Sequence, residues 1–225
     1  MAEMAEFDKF SGDYRQVLDA GLTIGDSDYF AEYKAKYIAR LMGGEFSGKV
    51  LDFGCGIGSL LDHLSKALPE IILHGYDISN ACLEAINPAH LEKGLFTSDM
   101  ERLDPDYDLI IMAGVIHHIS EPERVSTLRA LKKHMRRGGR LVIFEHNPAN
   151  FLTLRVVERC PFDTDAVLAR MSETRGYFES AGMRVLKSDY IVFLPPFFRR
   201  FIALERFLSW CALGAQYVVT GEKTD

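Results

Sequence analysis

The chain has 225 residues, with 26 Lys and Arg against 32 Asp and Glu and a formal net charge of -6, giving a pI of about 5.7. That length buries one substantial core, and the acidic balance counts against a general electrostatic grip on nucleic acid, which needs a basic face. The four cysteines, Cys55, Cys82, Cys160 and Cys211, contain no Cys-x-x-Cys pair, so neither a zinc site nor a disulfide framework is indicated, and reduced thiols in a cytoplasmic protein are the favoured reading.

The first ten residues lack a basic region followed by an apolar block, so no signal peptide is expected. No apolar stretch reaches the roughly twenty residues of a membrane-spanning helix. From Met1 to Gly25 the apolar residues Phe7, Phe10, Tyr14, Val17, Leu18 and Leu22 are irregularly placed, as in a short helix or a flap. Asp26-Ser27-Asp28 then supply N-cap chemistry. Phe30, Tyr33, Tyr37, Ile38 and Leu41 fall on one helical face, ended by Gly43-Gly44.

At Lys49 to Leu60 the pattern changes to strand, glycine turn and helix. Val50, Leu51 and Phe53 form the strand, Gly54, Gly56 and Gly58 the turn, and Leu60, Leu61, Leu64 and Leu68 recur at helical spacing. Such a turn lets a ligand lie against the main chain near the unpaired N–H groups of a helix N-terminus. The third glycine comes too early for the Gly-x-Gly-x-x-Gly dinucleotide fingerprint, so a nicotinamide-dependent oxidoreductase is disfavoured. Asp52 would repel a pyrophosphate but suits a ligand bearing an ammonium group.

A second apolar run, Ile71 to Tyr76, ends at Asp77, where a doubly wound fold places the acid that bonds ribose hydroxyls. Ser79 caps a helix stopped by Asn87-Pro88. A short strand at Leu95 to Thr97 leads to Asp99 and Met100, and a fourth strand, Asp108 to Ala113, leads to His117 and His118. Glu121-Pro122 opens a helix with the stripe Val125, Leu128, Leu131 and Met135, expected to run through Arg136 and Arg137 to Gly138-Gly139. Strand five follows at Arg140 to Glu145. The alternation argues a mostly parallel, doubly wound sheet.

Asn147 to Thr174 breaks this rhythm and includes Cys160-Pro161-Phe162-Asp163. Insertions at the carboxyl ends of strands wall ligand crevices, so this one is expected to shape an acceptor pocket. A helix at Glu173 to Ser180, a strand at Met183 to Phe193, a helix from about Phe197 to Cys211 and a last strand at Gln216 to Thr220 complete the chain. In the Phe197 to Cys211 helix, Phe197, Phe201, Leu204, Leu208 and Cys211 share one face. Phe198, Ile202, Phe207 and Trp210 widen it, and core packing, a dimer contact, a membrane-surface contact or cover for a greasy substrate would each account for the surplus.

The Asp-x-Gly-x-Gly-x-Gly run from Asp52 to Gly58, with Asp77, the Ser98-Asp99-Met100 segment and the run into His117-His118, resembles class I S-adenosylmethionine-dependent methyltransferases of the type 11 and 12 kind. The resemblance covers roughly Val50 to His146. It implies an α/β/α sandwich around a Rossmann-like, seven-stranded, mostly parallel sheet whose last strand is antiparallel. A single domain over 1–225 is expected: a helical cap at 1–46, a cofactor-binding core at 47–146, and a substrate-side insertion with the terminal strands at 147–225.

The implied cofactor is S-adenosyl-L-methionine, with S-adenosyl-L-homocysteine as product. The cofactor-binding residues implied are Asp52, Gly54, Cys55, Gly56, Asp77, Ile78, Asp99, Met100 and Ala113. Asp99 would accept the exocyclic amine of adenine between Ile78 and Met100. The cap would cover the site, so that Tyr14, Tyr29 and Tyr33 line a substrate cavity or bury in the core, and Lys34 or Lys36 reaches the cofactor carboxylate.

A general base, where one is needed, should project from the ends of strands four and five, which makes His117, His118 and Glu145 the catalytic candidates, with His146 beside them. No metal is expected, since adjacent histidines point apart and spacing fixes no third ligand. The expected activity is methyl transfer to a small apolar or aromatic acceptor, with no nucleic acid partner and no stable membrane insertion. A surface contact and a homodimer stay open, as does a non-catalytic protein that binds the cofactor as a scaffold.

Overall fold

The computed structural model describes residues 27–225; the irregular segment before Gly25, Tyr14 included, lies outside the described residues. Helix α1 spans Ser27–Met42. Its helical repeat turns Tyr29, Tyr33, Tyr37 and Ile38 inward, and all four are buried. Thereafter come β1 (Lys49–Phe53), α2 (Ser59–Ala67), β2 (Ile72–Tyr76), α3 (Asn80–Glu84), α4 (Pro88–Leu91), β3 (Phe96–Thr97) and β4 (Tyr107–Ala113). The second half holds α5 (Glu121–His134), β5 (Met135–His146), α6 (Phe151–Arg159), α7 (Met171–Ser180), β6 (Arg184–Ile191) and β7 (Gln216–Glu222).

The seven strands form one sheet in the order β3-β2-β1-β4-β5-β7-β6. Neighbours from β3 through β5 pair in parallel, and β7 runs antiparallel between β5 and β6. This is the doubly wound sheet that the alternating pattern and the resemblance predict. Its strands are apolar on both faces because helices cover both. Leu51, Phe53, Ile110, Met112, Leu141 and Ile143 face a layer containing Leu128, Leu131 and Phe178 of α5 and α7. One residue out of phase, Val50, Leu109, Ile111, Val142 and Phe144 face Tyr37, Ile38, Leu60 and Leu64 of α1 and α2. Each fully buried leucine here is worth roughly 1.5–3 kcal/mol over its exposed state.

Three local expectations are corrected. Helix α5 ends at His134 rather than past Arg137, because buried Met135 pairs with Tyr107 at the start of β5. Gly138, at φ 74°, then donates its N–H to Lys223 O. The Ser79 helix is short, and the Asn87 side chain caps a second one, α4, by accepting from the Ala89 N–H. The expected helix from Phe197 is a 3-10 stretch, Pro196–Phe207, irregular at Phe198. Its Glu205 carboxylate turns inward to accept from the Val192 and Leu194 N–H groups and from the Tyr33 hydroxyl, which holds this segment against β6 and α1. Phe197 is 69% exposed and Leu204 56%, so the predicted face is not a buried stripe.

Candidate active site

Parallel register brings the tips of β1, β2, β4 and β5 into one line, with Phe53 opposite Tyr76 and Met112, and Ala113 opposite Phe144. After β1 the chain turns through Gly54, Gly56 and Gly58, all at positive φ. A Cβ on Gly54 would stand 2.4 Å from Val115 Cγ2, so only glycine lets this turn lie against the loop after β4. The Gly54 and Cys55 N–H groups donate to Tyr76 O at 2.7 and 3.0 Å. Asp77 Oδ2 accepts from the Gly56 N–H at 2.7 Å and Oδ1 from the Ser79 N–H at 2.9 Å, so this acid fastens the end of β2 to the glycine turn.

Asp52 is buried in β1, and burial pushes its carboxyl up to about 7; Lys34 opposes that rise and Asp77 adds to it. Burial lowers the Lys34 ammonium from its ordinary value while Glu145 and Asp52 act to raise it. Lys34 therefore shares one electrostatic field with both acids. Lys36 is exposed and pairs with Glu32 at 2.5 Å. Tyr29 and Tyr33 are spent on structure, donating to Leu194 O and to the Glu205 carboxylate. At the rim, Asp99 is exposed and accepts from the Glu101 N–H at 2.9 Å. Ile78 is 41% exposed, Met100 is half-buried, and Ala113 closes β4.

The second half of the site is a histidine cluster. Glu145 is buried at the end of β5; its Oε1 accepts from the Val115 and Ile116 N–H groups at 3.0 and 2.7 Å, and its Oε2 lies 2.6 Å from His117 Nδ1. On the other side of the imidazole, His117 Nε2 lies 3.3 Å from Asp163 Oδ1, which is also 3.5 Å from His118 Nε2. Burial pushes the His117 imidazolium down, but Glu145 and Asp163 override it and raise it to about 10. Burial likewise lifts the Glu145 carboxyl, and the facing His117 more than reverses this, bringing it down to about 2. His118 and His146 are each lowered to about 4, by burial first and then by the charge on His117.

Asp163 is a member that the sequence did not single out. The Asn150 side chain caps α6, and after Cys160 the turn Pro161–Asp163 carries this acid back over β4 and β5. The Val167 N–H donates to His117 O at 2.9 Å, and Val167 O accepts from buried Arg124 at 2.5 Å, which fixes the insertion in place. Its only sequence signal is a Cys-Pro-x-Asp turn in the insertion that follows strand five. His117, His118 and Asp163 each offer a potential ligand atom within 4.8 Å of the others, a grouping that sequence spacing could not fix, but a His117 kept protonated by its two carboxylates is a poor metal ligand.

A doubly wound sheet of this order, with a glycine turn after β1 and acids at successive strand tips, defines the class I methyltransferase fold. The chain matches the family model described as a methyltransferase domain over residues 51–141. It is similar to a trans-aconitate 2-methyltransferase of Mycobacterium ulcerans, with 23% identity over 87% of this chain and 78% of that one. A ribosomal RNA small subunit methyltransferase C of Acinetobacter baumannii is 28% identical over 53% of this chain, a match spanning 39% of that protein's own length. In structure it resembles a chain from the complex between the Haloferax volcanii Trm112 methyltransferase activator and a methyltransferase, with a TM-score of 0.71, 21% identity and 98% of each chain covered.

Proposed function

We propose that the protein transfers a methyl group from S-adenosylmethionine to a small apolar or aromatic molecule, with His118 receiving the acceptor's proton. The cofactor supplies an activated methyl on a cationic sulfur, and the protein's part is to bind, orient and deprotonate. The residues fit such a ligand: Asp52, a buried acid held near neutrality, gains by meeting an ammonium group, and the exposed Ile78 offers an apolar flank beside Asp99. Asp77 is the acid for the ribose hydroxyls.

The observation that carries the assignment of roles is the sandwich of His117 between Glu145 and Asp163. It keeps that imidazole charged at neutral pH, which removes His117 as a base. The same charge and burial keep His118 uncharged and able to accept a proton. Glu145 never reaches the acceptor in this reading; it is a positioning residue acting through His117. The acidic net charge and the lack of a basic tract favour a small molecule over RNA.

Two measurements test this. S-adenosylmethionine or S-adenosylhomocysteine should raise the melting temperature, because a ligand of the native state stabilises it. Labelled S-adenosylmethionine should then pass its methyl group to a component of a metabolite pool. Binding without any turnover would leave a cofactor-binding scaffold, and no thermal shift at millimolar cofactor would remove the proposal.

A further inference from the structure

Two adjoining segments at the carboxyl edge of the sheet, α6 and the stretch 196–213, expose large apolar side chains. Phe151 is 61% exposed and Leu152 63%, while Phe197, Phe207, Trp210 and Leu213 are between 62% and 79% exposed. The segments abut: Asn147 donates to the carbonyls of Ala212 and Gly214, Asn150 to that of Leu213, and the Thr153 hydroxyl to that of Ala215. Single exposed apolar side chains are ordinary, but six large ones gathered on two adjoining segments point to an interaction surface.

The charges around the patch run against those of the whole chain. Among the described side chains of the two segments, Arg155, Arg159, Arg200 and Arg206 are exposed, with Glu158 the one exposed acid, in a protein of net charge -6. The other acid, Glu205, is withdrawn from this surface into its bonds with Tyr33, Val192 and Leu194. Two of the arginines lie over aromatic rings of the patch, Arg155 at 4.4 Å from the Phe151 centroid and Arg206 at 4.7 Å from that of Phe207. Guanidinium groups and aromatic rings thus occupy the same layer.

We infer that this face seats on the surface of an anionic lipid bilayer. Aromatic and aliphatic side chains enter the boundary between headgroups and acyl chains while arginines meet lipid phosphates, an arrangement that needs no spanning segment. Among the described residues no helix is long and apolar enough to cross a membrane. A second copy of the chain is the poorer occupant, because a two-fold contact through this patch sets arginines against arginines with one exposed acid on each side. Asn147, which holds the patch, directly follows His146, so a membrane-seated protein has the histidine cluster close to the lipid. If the methyltransferase proposal holds, its acceptor is then an amphiphile drawn from the bilayer.

The test is co-sedimentation of the full chain with phosphatidylcholine vesicles, with and without phosphatidylglycerol, at low and raised salt. Binding is expected only to the anionic vesicles, and salt should weaken it. Arg155→Glu with Arg206→Glu should reduce partitioning about tenfold or more, and Phe207→Ser with Trp210→Ser should do so at either salt. The melting temperature of each variant establishes that it is folded. Absence of binding to anionic vesicles, retention of binding by folded variants, or a lipid-free dimer dispersed by the same substitutions would each overturn the inference. Vesicle binding by a protein that shows no thermal shift with S-adenosylmethionine would leave this surface standing and remove only the proposed activity.

Discussion

The Asp163 carboxylate lies 3.3 Å from His117 Nε2 and 3.5 Å from His118 Nε2, joining the insertion after β5 to the loop after β4. The two flanking carboxylates raise His117, while burial first and the His117 charge second lower His118, and the proposed division of labour rests on that asymmetry.

If His118 takes the proton, His118→Ala should lower kcat by about 10²–10⁴-fold with little change in the dissociation constant of S-adenosylmethionine. Asp163→Asn should lower kcat less, since it disturbs the base without removing it. Chelators should leave turnover unchanged. A chelator-induced loss restored by zinc would assign the three groups to an ion instead.

Glu145→Gln should destabilise the fold by about 3 kcal/mol or more, because it leaves the buried His117 charge facing a neutral partner. Urea denaturation followed by circular dichroism measures this. A loss below about 1 kcal/mol would mean that the pair contributes no more than an exposed one.

Stability should peak near pH 6.5 as far as this cluster governs it. His117 is raised to about 10, so its contribution is full below about 6.5 and is lost as the pH rises through about 10. His118 and His146 are lowered to about 4, so the fold is favoured above about 6.5 and that advantage is lost as the pH falls through about 4. Glu145 contributes above its ordinary value and loses its contribution as the pH falls through about 2. Melting curves from pH 4 to 9 should therefore fall on both sides of neutrality, and His118→Asn should flatten the acid side.

Cofactor affinity should weaken as the pH falls below about 7, where the Asp52 carboxyl takes up a proton. If only the ionised acid meets the ammonium group, the dissociation constant approaches a tenfold rise per pH unit. Calorimetry in buffers of different ionisation enthalpy should detect the released proton near neutrality, and Asp52→Asn should abolish the pH dependence.

The sheet was legible from the sequence because its signals are local. Short apolar runs, the glycine turn at Gly54 to Gly58 and the Ser79 cap are each fixed by residues a few positions apart, and alternation of strand and helix leaves few topologies. Asp52 and Asp77 could be named from the same local runs, and Asp99 from the resemblance. The Pro196–Phe207 stretch was misread as an ordinary helix because its apolar spacing is helical. What bends it is Glu205, drawn to Tyr33, Val192 and Leu194, and all three partners lie outside the stretch whose periodicity was read.

Apolar runs, glycine turns and the resemblance they carry therefore determined the winding of the sheet and which acids stand at its edge, since those signals are short-range along the chain. Tertiary structure alone decided which histidine is charged, which lysine faces the acids and which carboxylate completes the cluster. Burial and Coulomb forces depend on distance through space, and Asp163 and His117 are brought together only when the insertion closes over the strands.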